Sequence, residues 1–157
     1  MRRLLPKYPG LELATVVYGD DVADKSYREA SALFKAHPEV GVIVAPTTVG
    51  ILSAAQAVQD AGLVGKVYVT GCGLPSELKG YVKSGAVKSF SMGNPQDLGY
   101  ATVHLLNDIL TGTKAGPGTT LPIGRMGSVT FDAKGEGPMA PPMRFDAANI
   151  DQYAKVF

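Results

Sequence analysis

The side chains best suited to chemistry follow four short apolar runs, at the point where each run ends. Together they offer carboxylates, hydroxyls and free backbone amides. The candidate ligand-binding residues are Asp20, Asp21, Pro46, Thr47, Thr48, Cys72, Gly73, Leu74, Gly93 and Asn94. In parallel α/β sheets, ligands bind beyond the carboxyl ends of the strands. This mixture favours a neutral polyol or sugar, which needs many fixed hydrogen bonds and no strong charge.

Several polar residues near these ends are also suitable helix caps. Asp24, Thr48, Ser76 and Asn94 each precede a helical pattern, and their side-chain oxygens could accept hydrogen bonds from the first turn. Helix capping alone is enough to explain each of these four residues. Capping and ligand binding are nevertheless compatible, because both occur at the same edge of a sheet.

The acidic pair Asp20-Asp21 admits a second interpretation. Receiver domains of two-component signalling bind magnesium with an acidic pair after the first strand, and they need a phosphorylatable aspartate after a later strand. The next apolar run here ends Ala45-Pro46-Thr47 and supplies no such acceptor. The receiver interpretation is therefore disfavoured.

Catalytic and metal-binding motifs are absent from the sequence. Cys72 lies between glycines, but neither histidine, His37 nor His104, is an obvious partner for it. The sequence contains no Gly-x-Ser-x-Gly, no P-loop and no G-x-G-x-x-G after the first run. We therefore predict a protein that is not an enzyme, with no catalytic residue, no metal site and no cofactor.

The apolar patterns between these ends predict alternating strands and helices. Strands are expected over Leu11–Tyr18, Val40–Ala45, Lys66–Thr70 and Val87–Met92. Helices are expected from Asp24 to about His37, from Thr47 or Thr48 to Ala61, from Ser76 to Gly85, and from Asn94-Pro95 to Gly112. Such alternation predicts the α/β class, with a parallel sheet and helices on both faces.

The pattern changes after residue 112. Residues 111–118 predict a flexible connection, and short strands are expected near Gly127–Phe131 and Met143–Phe145. A Gly/Pro-rich turn, Lys134 to Pro142, separates these two strands. The sequence thus predicts an α/β lobe over residues 1–112 and a crossover with a short β-rich C-terminal tail over residues 113–157.

Composition excludes several classes of protein. The 157 residues carry a net charge of +1 with no basic stripe, so nucleic acid is not an expected partner. The single cysteine forbids an internal disulfide. No apolar run reaches the roughly 20 residues of a membrane span. Residues 1–10 lack the apolar core of a signal peptide, so the chain as written carries no export signal.

Blocks of sequence resemble the rhamnose-type and autoinducer-2-type sugar-binding proteins of ABC transporters. The blocks follow the family's order across essentially the whole chain. They are YGDD (Tyr18–Asp21), DKSYREA (Asp24–Ala30), APTTVG (Ala45–Gly50), GLVGKVYVTG (Gly62–Gly71), GLPSE (Gly73–Glu77), VKSGAV (Val82–Val87), NPQDLGY (Asn94–Tyr100) and FDAANIDQYAKVF (Phe145–Phe157).

The resemblance implies a flavodoxin-like lobe of a type I periplasmic binding protein, and specifically its C-terminal half. Family members are about twice as long and clamp a sugar between two lobes joined by crossovers. The resemblance also implies a periplasmic location, a membrane permease as partner, and a helix over residues 95–110 that belongs with the N-terminal lobe.

The resemblance also assigns pocket positions. Pro46 and Thr48 match ligand contacts of the family, and Asp20 and Asp21 lie at the mouth of the first predicted strand. Cys72 and Gly73 fill the turn where ribose-type relatives carry an aromatic residue and an aspartate. Gly93 replaces a large residue, commonly tryptophan in this branch, so neither stacking nor a side-chain hydrogen bond is available there.

The matched segment lacks the first strand of such a lobe, which lies between the strands equivalent to Leu11–Tyr18 and Val40–Ala45. We expect the chain to pair these two strands directly or to self-associate as a homodimer. Two other functions remain open: a self-associating module outside transport, and the effector domain of a lactose-repressor-type regulator.

Overall fold

A computed structural model describes residues 4–138 and 141–157, which form two units. The described residues up to Ser91, together with Arg144–Phe157, form the first unit, and those between Met92 and Met143 form the second. Part of the predicted Lys134–Pro142 turn, residues 139–140, lies outside the described residues.

Helices and strands alternate along most of the first unit. In chain order the elements are α1 (Ala23–Ala36), β1 (Val42–Ala45), α2 (Thr48–Asp60), β2 (Tyr68–Gly71), α3 (Pro75–Ser84), β3 (Ser89–Met92), α4 (Pro95–Leu110), β4 (Thr120–Pro122), β5 (Ser128–Thr130), β6 (Met143–Asp146) and α5 (Ile150–Tyr153). Short 3₁₀ turns cover Leu5–Lys7 and Gly124–Met126.

The pairings of β1 with β2 and of β2 with the β3 region are parallel. β1 pairs with β2 in parallel, and two isolated parallel bridges, Val69 to Val87 and Cys72 to Ser91, connect β2 to the β3 region. β3 also pairs with β6. The predicted parallel sheet is therefore present. Its core contains Ile51, Val58, Val69, Leu78, Val87, Phe90 and Phe145, all at most 2% exposed.

The strand predicted over Leu11–Tyr18 is wrong. The structure assigns no strand to these residues, and Val16, Val17 and Tyr18 are exposed. A β-branched run becomes a strand only when a neighbouring strand completes its hydrogen bonds, and none of the described segments does so. Direct pairing of Leu11–Tyr18 with β1, the first of our two expected repairs, is therefore also wrong.

Burial of the second predicted strand differs from expectation. The apolar run Val40–Ala45 predicts a strand buried on both faces. The strand begins instead at Val42, and Val42 and Val44 are 53% and 47% exposed. Val42 and Val44 project from the same face of β1, and the described residues leave that face largely uncovered.

Of the four predicted caps Asp24, Thr48, Ser76 and Asn94, only Asn94 caps its helix, and Thr47, the alternative to Thr48, caps α2. The Thr47 hydroxyl accepts from the Gly50 amide at 3.1 Å, and Asn94 accepts from the first turn of α4. Asp24 and Ser76 lie inside their helices, which begin after Val22 and Leu74 without a side-chain cap. Thr48 is likewise the first helical residue rather than the cap.

The second unit packs α4 on a short hairpin. β4 pairs with β5 in antiparallel sense, and Ala101, Ile123 and Val129 form its buried cluster. The strand predicted near Gly127–Phe131 is present as β5, whereas β4 is absent from the sequence prediction. Among the described residues, no helix combines the length and apolarity that crossing a membrane requires.

Candidate ligand-binding site

The carboxyl ends of three parallel strands lie side by side in the first unit. Ala45 pairs with Gly71 at the ends of β1 and β2, and the Cys72 amide donates to the Ala45 carbonyl at 3.0 Å. Cys72 in turn pairs with Ser91 near the end of β3. The loops after β1 and β2 therefore start from one edge, which we call the rim.

Asp20 and Asp21 form a turn with left-handed backbone conformation. Their φ angles are 51° and 56°, which among residues with side chains is tolerated mainly by Asn and Asp. The Val22 amide donates to the Gly19 carbonyl at 2.9 Å. The Asp20 carboxylate pairs with Lys25 of α1. The structure's described hydrogen bonds include none to the Asp21 carboxylate, so it is available to a ligand.

The loop after β1 supplies Pro46, Thr47 and Thr48. Pro46 and Thr47 are exposed, and Thr48 is partly buried as the first residue of α2. The Thr47 hydroxyl is occupied as an acceptor by the Gly50 amide. It can still donate its proton to a ligand, because a hydroxyl both donates and accepts.

The loop after β2 combines an exposed thiol with a packed glycine. Cys72 is a free, exposed cysteine. Gly73 is buried, and a Cβ there would lie 2.4 Å from a methyl carbon of Leu78 and 3.0 Å from Ile51. Leu74 precedes α3 and is partly buried. Gly73 is therefore required by packing, and only its backbone could serve a ligand.

Gly93 and Asn94 belong to the second unit and follow β3 in the chain. A Cβ built on Gly93 meets no described atom within 4 Å. The Asn94 side-chain oxygen accepts from the amides of Gln96 and Asp97 at 3.0 Å and 3.4 Å, and its amide donates to the Asp97 carboxylate at 2.8 Å. Asn94 is thus a satisfied helix cap, and Gly93 leaves open space.

A cleft of about 280 Å³ opens within the first unit between residues 17–21 and residues 43–47. Four candidate residues line it: Asp20, Asp21, Pro46 and Thr47. Thr48, Cys72, Gly73 and Leu74 are not among the lining residues. We call the part of the lining formed by these four residues the mouth; the rest of the lining includes the apolar side chains of Val17, Leu33, Ile43, Val44 and Ala54.

Three residues near the mouth were missed by sequence reasoning. Ser26 and Glu29 line the cleft, and Lys25 fixes Asp20. Gly19 packs so closely on Ser26 that an added Cβ would lie 2.1 Å from the Ser26 hydroxyl oxygen. The sequence did contain a usable signal. Lys25, Ser26 and Glu29 lie in the first two turns of the helix that directly follows the Asp20-Asp21 turn, so they must lie close to that turn.

A separate polar network joins three helices away from these residues. Tyr27 of α1 donates to the Asp60 carboxylate at 3.0 Å, Gln56 donates to the same carboxylate at 2.7 Å, and Tyr81 of α3 donates to Gln56 at 2.7 Å. The hydrogen bond to Asp60 raises the pKa of Tyr27. This network orients α1, α2 and α3, and it includes none of the candidate residues.

Comparison with known proteins gives one family match. Residues 1–114 match the family described as "Periplasmic binding protein domain". The chain is also similar to a sugar ABC transporter structure from Actinomyces odontolyticus, with 38% identity and a TM-score of 0.83. That similarity covers 98% of this chain and 50% of the other.

Two further structures extend this comparison. An ABC transporter solute-binding protein from Clostridium phytofermentas with bound L-rhamnose is 34% identical over 99% of this chain and 53% of its own, with a TM-score of 0.87. LsrB from Clostridium saccharobutylicum in complex with AI-2 shares the fold at 19% identity, with a TM-score of 0.81 over 97% of this chain and 52% of its own. The chain thus spans about half the length of these structures.

Proposed function

The chain belongs to the periplasmic binding protein domain family, and from this premise we propose that it is one lobe of the sugar-binding component of a carbohydrate ABC importer. The resemblance inferred from sequence is confirmed by the family match and by the sugar-transporter structures. The single observation that carries the proposal is the rim, where the loops after β1 and β2 start side by side.

We propose that the sugar lies on the rim and is covered by a second lobe. The mouth of the cleft offers one free carboxylate and a hydroxyl, from Asp21 and Thr47, which suit sugar hydroxyl groups. One face of the ligand would remain open on this half alone. A lobe on the other side would complete the hydrogen bonds and exclude water.

The sugar we propose first is L-rhamnose or a similar deoxy-sugar. The rhamnose-bound structure is 34% identical to this chain over nearly its whole length. A methyl group in place of a hydroxyl needs an apolar contact, and the cleft lining provides one through Val44 and Ala45. Gly93 carries no side chain, so it cannot stack on the sugar ring.

We also propose the partner and compartment implied by the family. The transport partner would be the membrane permease of the importer, and the site of action would be the periplasm. The helix α4 supports an arrangement with a second lobe, because five of its large apolar residues are exposed: Leu98, Val103, Leu106, Ile109 and Leu110. In the full-length protein this face would pack on that lobe.

Titration calorimetry with L-rhamnose, D-fucose and D-arabinose tests the proposal. We expect saturable heat with L-rhamnose and weaker binding of the other two sugars. Asp21→Asn should weaken L-rhamnose binding by about tenfold or more, because a hydrogen bond to a charged group contributes roughly 1.5–3 kcal/mol. Asp108→Asn, on α4, is the matched control and should leave affinity unchanged. Saturable binding that is unaffected by Asp21→Asn would place the sugar elsewhere, and no heat with any sugar would contradict the proposal for this chain.

A further inference from the structure

A second cleft, here called the helix cleft, opens among the helices of the first unit. It measures about 280 Å³ and shares no lining residue with the cleft proposed for the sugar. α2 packs on both α1 and α3, and all three helices contribute to the lining. Its polar and aromatic residues are Asp24 and Tyr27 from α1, Ser53 and Gln56 from α2, and Tyr81 from α3. The helix cleft is therefore a separate place at which a small group can bind.

The Ser53 side chain faces this cleft without a described partner. Ser53 is only 8% exposed. Hydroxyls inside helices commonly donate to a carbonyl of the preceding turn, as those of Thr102 and Thr111 do, but the described hydrogen bonds include none to the Ser53 hydroxyl. No fully buried side-chain oxygen or nitrogen of the described residues lacks a partner, so the Ser53 oxygen must reach the open space of the cleft. A ligand in the cleft would satisfy it.

The other polar groups of the helix cleft offer mainly acceptors. The described hydrogen bonds and ion pairs include none to the Asp24 carboxylate, which is exposed. Tyr27 donates its proton to Asp60 and Tyr81 donates its proton to Gln56. The lone pairs of both phenol oxygens therefore remain to accept a hydrogen bond. A ligand that fits this set must be rich in donors.

Charge and aromatic surface in the helix cleft favour a cation. Its lining includes one carboxylate and no lysine, arginine or histidine. The hydrogen bond to Asp60 raises the pKa of Tyr27, and burial followed by the charge of Asp60 raises the pKa of Tyr81. The negative charge of Asp60 thus reaches both rings. Tyrosine rings attract cations at their faces, and a guanidinium combines a positive charge, five donors and a flat surface.

We propose that the helix cleft binds a guanidinium group, which donates to the Asp24 carboxylate and the Ser53 hydroxyl and lies against the rings of Tyr27 and Tyr81. An ammonium group would satisfy the charge, but it has three donors and no flat surface to place on a ring. The guanidinium can belong to a free small molecule or to an arginine side chain of a partner protein. This site goes beyond the proposed sugar binding and does not depend on it.

Nuclear magnetic resonance titration of the chain at constant ionic strength gives the test. Butylguanidinium should shift the amide signals of Ser53 and Gln56 saturably. Butylurea, which has nearly the same shape and no charge, should bind about fivefold or more weakly. Asp24→Asn and Ser53→Ala should each weaken butylguanidinium binding by about threefold or more. Glu77→Gln is the matched control, because Glu77 is also an exposed carboxylate in the first turn of its helix and lines neither cleft.

A short peptide, N-acetyl-alanyl-arginyl-alanine amide, distinguishes the two sources of the guanidinium. Tighter binding of the peptide than of butylguanidinium would support an arginine of a partner protein, and weaker binding would support a free small molecule. Three results would each overturn the proposal: equal binding of butylguanidinium and butylurea, an affinity that resists both Asp24→Asn and Ser53→Ala, or an equal loss in Glu77→Gln. L-rhamnose is titrated into the same variants, whose sugar binding should equal that of wild type, so failure at one cleft is distinguishable from failure at the other.

Discussion

Gly71 at the end of β2 controls how closely the first two strand ends approach at the rim. A Cβ built there would lie 1.7 Å from the Ala45 carbonyl oxygen and 2.6 Å from its carbon, and the Gly71 φ angle is 147°. Both atoms belong to the backbone, so no side-chain rotation relieves the overlap. We therefore expect Gly71→Ala to push β1 and β2 apart at the rim.

The magnitude follows from two separate costs. Overpacking in a closely packed site costs roughly 1–3 kcal/mol, and a backbone conformation unsuited to alanine adds about 1–3 kcal/mol. Gly71→Ala should thus lower the free energy of unfolding by about 2 kcal/mol or more. The matched control is Gly80→Ala, inside α3, where an added Cβ meets no described atom within 4 Å. It should raise the free energy of unfolding by about 0.5–1 kcal/mol, because glycine weakens a helix interior.

Urea unfolding followed by far-UV circular dichroism measures both variants. The same chemical change should shift the unfolding midpoint in opposite directions at the two sites. Hydrogen exchange at the Cys72 amide gives a local readout, since its bond to the Ala45 carbonyl should open in Gly71→Ala. A Gly71→Ala variant as stable as wild type, with that amide still protected, would refute the description of the rim.

Three further predictions concern other parts of the chain. Asn94→Ala should lower the free energy of unfolding by about 1 kcal/mol, measured in urea, because it removes the N-cap of α4. Phe145→Ala should lower it by about 3–5 kcal/mol by the same assay, because this fully buried ring packs on Phe90 at 5.2 Å between centroids. Hydrogen bonds and charge from Lys79 and Lys83 lower the pKa of Asp151 from 3.8 to about 2. The stabilisation from these two ion pairs is therefore present above about pH 4 and lost as pH falls toward 2. Asp151→Asn should accordingly show a smaller loss of stability over that range in an acid titration.

The elements with local signals could be predicted from the sequence. α2 and α4 begin and end close to where their caps and apolar spacing place them, because capping and helical periodicity depend on neighbours along the chain. Thr47 and Asn94 are caps for this reason. β4 was missed because it has only three residues and ends in Pro122, which sequence patterns exclude from most strands.

Features that depend on distant residues could not be predicted in the same way. Leu11–Tyr18 has strand composition, but a strand also requires a neighbour, and no described segment provides one. The exposure of Val42 and Val44 depends on what packs on their face of β1, which residues near in sequence do not encode. At the site, Pro46 and Thr47 follow β1 and line the cleft, and their role as ligand contacts stays a prediction. Glu29 lines the cleft and Lys25 pairs with Asp20 because α1 follows the Asp20-Asp21 turn, which strand ends alone do not reveal.

The left-handed turn at Asp20 and Asp21 restricts which substitutions evolution can accept there. Only glycine, asparagine and aspartate adopt two such conformations in succession at little cost. Homologous sequences that keep this turn should therefore vary among these three residue types at both positions and avoid valine, isoleucine and threonine. A lineage that exchanges either aspartate for a β-branched residue would have to rebuild the loop, and with it the mouth of the cleft.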